Sequence, residues 1–405
     1  MGGYIIGPYL NEYYNGHDDE FHRQVADVDA RIQLVMDLRR GKLLKVFPYT
    51  VNGNTTWYAP TDIMPDSAVA PADRQYMQNV FSLIYQEALA GNMASVGNIA
   101  DKMLRYQHKN GGSSLPSDMQ TRAERLYNAV PFATILFMLN LGMGFATLFA
   151  VLWLMTRPTR RTLRGSMLMK IAVAVMLLSF AALTLCVALR WLIRGTAPMA
   201  NGYETMLLMA WIIMAASLLL CRRFAIVLTF GFIMSGFFLL VSHISQMDPQ
   251  ITHIMPVLQS PLLSIHVSVI MTAFALLSLT FICGITALLL RAMRGSRAEG
   301  LAAQLAALRA LSQLFYYPAM AALAVGIFVG AVWANVSWGT YWSWDAKEVW
   351  ALITFMVYAA AAHGTSLPMM RRPMPWHVFM VAAFATILMT YFGVNYFLGG
   401  MHSYA

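Results

Sequence analysis

The sequence has little cysteine, little charge and no sustained alternation of apolar and polar residues. Its three cysteines, Cys186, Cys221 and Cys283, are scattered through apolar stretches, and no CxxC pair occurs. That excludes a disulfide framework and a thiol-redox motif, and leaves small core hydrophobes. Charged residues make up 12% of the 405 positions against 58% hydrophobic ones, with a positive mean hydropathy. These values exclude an ordinary soluble protein. The missing alternation excludes strands of a membrane barrel, so the long apolar runs are expected to be helices, which satisfy their own backbone groups. A basic segment followed by an apolar export signal is also lacking: Met1-Gly2-Gly3-Tyr4 opens nothing of that kind. The expectation is therefore a further membrane segment upstream on a longer chain, or export by another route.

The sequence divides by polarity near residue 128. Residues 1–128 are polar and hold most of the acidic side chains; from Val130 onward long apolar runs alternate with short breaks. Eight runs reach the ~18–20 residues needed to cross a ~30 Å hydrocarbon core. They cover about 130–155, 168–192, 204–220, 223–243, 262–290, 315–336, 347–364 and 376–397. The expected fold is an all-α polytopic membrane protein with about eight transmembrane helices and a small α-rich outer domain. The expected domains are 1–128, an accessory domain, and 129–405, the membrane domain.

Basic residues set the orientation. Thirteen fall in breaks on one side: Arg157, Arg160, Arg161, Arg164, Lys170, Arg222, Arg223, Arg291, Arg294, Arg297, Arg309, Arg371 and Arg372. Two, Arg194 and Lys347, fall on the other. The first side is expected to be cytoplasmic, with both termini on the periplasmic side. The net charge of +9 then follows from topology, and no nucleic acid is needed to explain it.

Within 1–128, residues 17–40 and 73–108 carry helical spacing, as in Val25, Val28, Ile32, Val35 and Leu38. Asn52-Gly53 between Leu43–Phe47 and Thr55–Tyr58 predicts a hairpin. Residues 110–116 read as a linker. His17 and His22, beside Asp18, Asp19 and Glu20, read as a solvated surface, and no catalytic constellation is evident here.

The densest chemical signal lies at 338–348, Trp-Gly-Thr-Tyr-Trp-Ser-Trp-Asp-Ala-Lys-Glu. Trp338, Tyr341, Trp342 and Trp344 present far more flat surface than a turn between membrane helices requires. They suit a large planar guest at the outer face. Asp345 and Glu348 form a D-x-x-E capping box for the seventh span, and Asn201 with Glu204 repeats that logic at the third. His266 and His402 fall at outer span ends on the side of the Trp-rich loop. Two such imidazoles can form an axial pair for haem iron. His363 lies 15 residues past Glu348, or ~22 Å deeper at 1.5 Å per residue, so one ligand cannot touch both it and the loop. An ionisable residue at that depth is a candidate for a second, inner site. His243 and His253 bracket the outer connection 244–261 and read as surface residues, and His377 as an interfacial anchor. Residues 301–314, with Leu301, Leu305, Leu308 and Leu311, read as a cytoplasmic interfacial helix.

These residues resemble the tryptophan-rich WWD signature of haem-handling proteins. The membrane half, about 130–405, resembles the CcsA/ResC type of cytochrome c biogenesis protein (System II), including the CcsA part of fused CcsBA synthases. The resemblance rests on the 338–348 loop, Ser264-Ile-His266-Val, Tyr358 with His363, Gly393-Val-Asn395-Tyr, His402-Ser-Tyr404, and Asn201-Gly-Tyr-Glu204. It implies haem b as cofactor, His266 and His402 as axial ligands at an outer site, and His363 at an inner one. It also implies attachment of haem to the thiols of apocytochrome c, with a CcsB/ResB portion, thiol-reducing proteins and the lipid bilayer as partners in a bacterial inner membrane. Two features depart from the family pattern. No CcsB portion is found in this chain, and Gly195-Thr196 stands where many relatives have Gly-His. A haem exporter that passes its cargo to a separate lyase is the alternative. A quinone-linked redox subunit with haem b pairs is disfavoured, since apart from His363 no mid-span histidine occurs.

Overall fold

Long apolar runs bounded by glycine, proline and capping residues fold here as helices, and the Asn52-Gly53 turn folds as a hairpin. The structure, a computed structural model, describes residues 4–17, 19–39, 41–63, 71–156, 167–243, 247, 249–251, 260–294, 300–364 and 366–398. The chain divides into two compact units, Met1–Met119 and Gln120–Ala405.

The first unit contains α1 (Gly7–Tyr14), α2 (Glu20–Arg39), the strands β1 (Phe47–Val51) and β2 (Asn54–Tyr58), α3 (Pro71–Leu89) and α4 (Met93–Asn110). β1 and β2 pair antiparallel, with Val51 opposite Asn54. Asn52 and Gly53 both take positive φ, 50° and 81°, as a tight hairpin turn of matching twist requires. A small core of Phe47, Met77 and Val80 joins the hairpin to α3. The Thr50 hydroxyl donates to the Asn110 carbonyl at 2.7 Å, and the Gln107 amide to Val46 O at 2.9 Å. The helical spacing expected in α2 is present, but its stripe from Val28 to Leu38 is exposed.

His22 does not lie on a solvated surface as expected. It is buried between Asp19 Oδ1, 2.8 Å from Nδ1, and Glu12 Oε2, 3.0 Å from Nε2. With a carboxylate on each nitrogen the ring donates twice, so Glu12 and then Asp19 hold its pKa above the usual imidazole value. Asp18 lies outside the described residues.

The second unit continues through α5 (Asp118–Ala129), α6 (Phe132–Thr156), α7 (Met167–Arg194), α8 (Gly202–Leu220), α9 (Ile226–Ser242), α10 (Pro261–Arg294), α11 (Leu301–Trp338), α12 (Ala346–Ala359) and α13 (Pro373–Leu388), which runs into a π-helix, Met389–Leu398. Among the described residues six helices are long and apolar enough to cross a membrane: those beginning at Phe132, Met167, Gly202, Pro261, Leu301 and Pro373. The fold is that of an all-α polytopic membrane protein. Two of the eight expected spans are shorter: α9 has 17 residues and α12 has 14 before a 3-10 turn, Ala360–Ala362. α10 is the central helix. Its most apolar 18-residue stretch is 72% buried, against 28% for α6, α7 and α11.

Residues 301–314 do not form a separate interfacial helix. They are the first turns of α11, which runs unbroken for 38 residues through Pro318. Leu301, Leu305, Leu308 and Leu311 are buried in the core shared with α10 and α13, so the stripe faces protein instead of lipid headgroups. His377 is likewise no interfacial anchor: it is fully buried, with Nε2 3.2 Å from the Leu305 carbonyl.

Several polar groups inside the bundle bond to one another across helices. Asn140 on α6 donates to Ser235 Oγ on α9 at 3.1 Å and accepts from Ser179 Oγ on α7 at 2.7 Å. Such contacts act as interhelical glue where lipid offers no hydrogen-bond partner. Arg190 on α7 was not singled out by sequence reading. Its guanidinium meets Glu204 Oε1 on α8 at 2.8 Å, donates to Tyr127 Oη at 2.6 Å and the Pro249 carbonyl at 2.7 Å, and lies over the Tyr127 and Tyr203 rings.

Candidate functional site

The site is built at the junction of α11 and α12. α11 ends at Gly339, whose φ of 79° gives the left-handed residue that commonly closes a helix. α12 begins with the expected capping box: Asp345 Oδ1 accepts from Lys347 N at 2.9 Å, and Glu348 Oε2 accepts from Asp345 N at 3.2 Å. Glu348 Oε2 also accepts from Ser343 N at 2.9 Å. One carboxylate thus binds the amides on both sides of Trp344, which sits at φ 58°. A bulky side chain at positive φ is strained, and this clamp holds it there.

The clamp divides the aromatic residues of the loop. Tyr341 and Trp342 line a cavity of about 440 Å³, within the usual range for small-molecule pockets. Trp344 is 75% exposed, meets Trp342 edge to face at 6.0 Å, and is not among the lining residues. Trp338 packs edge to face on Trp333 at 4.8 Å; Trp333 lines the cavity and Trp338 does not. Asp345 is buried and acts as the cap.

Five other elements complete the lining. α10 contributes His266 and Phe274, α11 contributes Gly330 and Trp333, and α12 contributes Lys347 and Glu348. Asn201, Gly202 and Thr205 come from the start of α8, and Tyr391 and Asn395 from the π-helix. The α8 wall is fixed from behind. Asn201 Oδ1 accepts from Glu204 N at 3.0 Å, as expected for an N-cap. The Glu204 carboxylate accepts from Ala200 N at 2.8 Å and from Arg194 Nη1 at 2.6 Å, so it does not complete the reciprocal box. Tyr391 Oη lies 2.6 Å from Thr205 Oγ1, joining the two walls.

His266 is half-buried, and its Nδ1 lies 2.8 Å from the Gly326 carbonyl on α11. A carbonyl can only accept, so Nδ1 carries a proton; in the neutral ring Nε2 then holds the lone pair, the arrangement of a metal-ligating imidazole. Gly330 makes room for the ring: a Cβ there would stand 2.7 Å from Nδ1. An iron porphyrin is compatible with this donor set, with a tautomer-fixed imidazole, flat aromatic faces and one ammonium among the lining groups.

The other described histidines do not line this cavity. His363 is exposed at the end of the 3-10 turn Ala360–Ala362 and lies outside the lining. His243 is exposed, 3.4 Å from Thr134 Oγ1 and beside the Phe137 ring. His402 and His253 lie outside the described residues. Among the described residues no group of three or more His, Cys, Asp or Glu could hold a metal ion. Sequence reading missed Lys347 as a lining residue, having counted it only as a basic residue of a break. Its place two residues after an N-cap, beside an aromatic loop, was the available signal.

Residues 199–402, which contain every wall of the cavity, match the family described as Cytochrome C assembly protein. The chain belongs to the cytochrome c assembly protein family. It is 30% identical to Protein NrfI of Wolinella succinogenes over 95% of its own length and 42% of that protein's. It is 31% identical to the cytochrome c biogenesis protein CcsA of Chlamydomonas reinhardtii, over 55% of this chain and 65% of that one. With CcsA of Guillardia theta the identity is 31%, over 56% of this chain and 83% of that one. The chain thus spans less than half of NrfI and about two thirds of the Chlamydomonas CcsA. A looser likeness to the solved cytochrome c haem lyase CcmF covers 69% of this chain and 47% of that one, with 18% identity and a TM-score of 0.45.

Proposed function

We propose that this cytochrome c assembly protein holds haem b in the cavity and attaches it to the thiols of apocytochrome c. In this reading it is the CcsA-type portion of a System II synthase working with a CcsB/ResB portion. The observation that carries the proposal is His266, tautomer-fixed by Gly326 and set in an aromatic-lined cavity within the family's matched region. His266 supplies one axial nitrogen and His402 is proposed for the other. Tyr341 and Trp342 offer flat apolar faces, while Trp338, Trp344 and Asp345 support the loop. His363 belongs to a separate inner station through which haem enters.

When bound, haem supplies the iron and the two vinyl groups to which the cysteine thiols add. The chain supplies position, and no side-chain nucleophile is required. The proposed setting is a bacterial inner membrane, with the loop and residues 1–128 on the periplasmic side and thiol-reducing proteins keeping the apocytochrome reduced.

The test is spectroscopic and covalent. The purified chain is expected to show a low-spin bis-imidazole haem spectrum that His266→Ala and His402→Ala each abolish; an unchanged spectrum overturns the ligand assignment. Co-expression with an apocytochrome is expected to yield covalently bound haem. Haem binding without covalent product supports the exporter reading instead.

A further inference from the structure

Acidic side chains outnumber basic ones in the first unit, but one segment of it is basic. Residues 34–45 carry Arg39, Arg40, Lys42 and Lys45 against a single acid, Asp37, a net charge of +3. The rest of Met1–Met119 has six basic and twelve acidic side chains, net −6. The segment also has an apolar surface: Leu34, Val35 and Leu38 on the last turns of α2 are exposed, and so are Leu43 and Leu44 beyond them. A defined turn joins the two sets. Gly41 takes φ 73°, Lys42 N donates to the Asp37 carbonyl at 2.9 Å, and Gly41 N donates to the Leu38 carbonyl at 3.0 Å, the pattern that closes a helix on a left-handed glycine. Lys42 Nζ lies 3.7 Å from Asp37 Oδ1, so the segment's one acid is matched within it.

Leucines interleaved with cations are unlike the centre of a protein interface, where charge, and lysine in particular, is depleted. They suit a lipid surface, where apolar side chains enter the acyl boundary and Lys and Arg stems reach back to the phosphates. Such a surface is within reach, since Phe132, the start of the membrane-spanning α6, follows Met119 by 13 residues. We propose that residues 34–45 dock on an anionic lipid surface, with Leu38, Leu43 and Leu44 at the acyl boundary and Arg39, Arg40, Lys42 and Lys45 at the headgroup phosphates. Docking of this kind is independent of the haem reading above. It holds the first unit to the bilayer by its surface as well as by its covalent link to α6.

The test places a nitroxide on Leu43→Cys in the full chain, reconstituted into phosphatidylcholine bilayers with or without phosphatidylglycerol. The native cysteines are buried, so the label goes to the introduced thiol. With phosphatidylglycerol the label is expected to be relaxed by lipid-dissolved oxygen and shielded from a water-soluble nickel chelate. In phosphatidylcholine alone the shielding is expected to fall. Lys45→Gln is expected to weaken the docking equilibrium about five-fold, the worth of one cation near an anionic surface. Replacing Arg39, Arg40, Lys42 and Lys45 together by Gln is expected to abolish the dependence on phosphatidylglycerol. Unchanged amide exchange in β1 and β2 reports that this variant is folded. A label open to the nickel chelate in both bilayers overturns the proposal. So does a label shielded from nickel and oxygen alike, which marks a protein cover, or shielding that grows with the number of chains per vesicle, which marks a second copy. Oxygen contact that is equal in both bilayers and survives the fourfold Gln variant overturns the role of the anionic headgroups.

Discussion

Arg190 on α7 and Glu204 on α8 form a 2.8 Å ion pair with side chains 1% and 0% exposed, inside the membrane-spanning unit. Arg194 joins the second oxygen of the same carboxylate at 2.6 Å. Two cations share one anion, and Tyr127, Tyr203 and the Pro249 carbonyl absorb the rest of the Arg190 charge. The cluster also holds Ala200 N, and with it the wall at 199–202.

Removing one member strands the other charges. Glu204→Gln leaves two guanidinium groups without their carboxylate and is expected to cost about 3–5 kcal/mol. Thermal unfolding in detergent measures it. The combined variant Arg190→Met with Glu204→Met is expected to be milder than Glu204→Gln, because one guanidinium, that of Arg194 at the end of α7, is then left without the carboxylate instead of two.

Gly330→Ala places a methyl group in the space of the His266 ring and is expected to cost about 1–3 kcal/mol through overpacking. The ring must leave its bond to Gly326 to make room. A weakened haem spectrum with little change in the first unit, followed by titration of haem into the purified variant, checks this.

The first unit is expected to respond to pH through His22. Glu12 and Asp19 raise its pKa in the folded state, so its contribution is complete below the unfolded value of about 6.5 and is lost as pH rises through the raised value. Asp19 behaves oppositely. The His22 backbone amide is the largest cause of its lowered pKa, so its contribution is present above about 3.9 and is lost as pH falls through the lowered value. Amide exchange in α1 measured across pH is expected to be slowest between these limits, and His22→Gln to flatten the alkaline limb.

Asp345→Ala removes the acceptor for Lys347 N and is expected to destabilise the start of α12 by about 1 kcal/mol. Glu348→Ala removes the acceptor for Ser343 N and Asp345 N together and is expected to release Trp344 from positive φ. Faster amide exchange at residues 343–347 in each variant is the readout.

Elements fixed by local chemistry were legible in the sequence. The Asn52-Gly53 turn, the Asp345–Glu348 box and the Asn201 cap all depend on residues within a few positions of one another. Long-range chemistry was not. Arg190 lies inside an apolar run, and its partner Glu204 is 14 residues away on another helix, so counting charges at the breaks passed over it. The leucine stripe at 301–311 announces an apolar face but not whether lipid or α10 covers it. The cavity was legible in part. The aromatic loop and His266 stood out by composition and topology, whereas the division of Tyr341 and Trp342 from Trp338 and Trp344 depends on the positive φ that Glu348 imposes.

The length of α11 has a mechanical meaning. Thirty-eight residues make a rod of ~57 Å, nearly twice the ~30 Å hydrocarbon core. Pro318 removes one backbone hydrogen bond from its interior and gives it a natural pivot. Gly326 and Gly330 stand ~12 and ~18 Å beyond that pivot, so a tilt of about 5° carries them roughly 1–1.5 Å. The imidazole of His266 is tethered to this arm by hydrogen bond and by fit. Any swing of α11 about Pro318 would therefore be delivered to a single nitrogen.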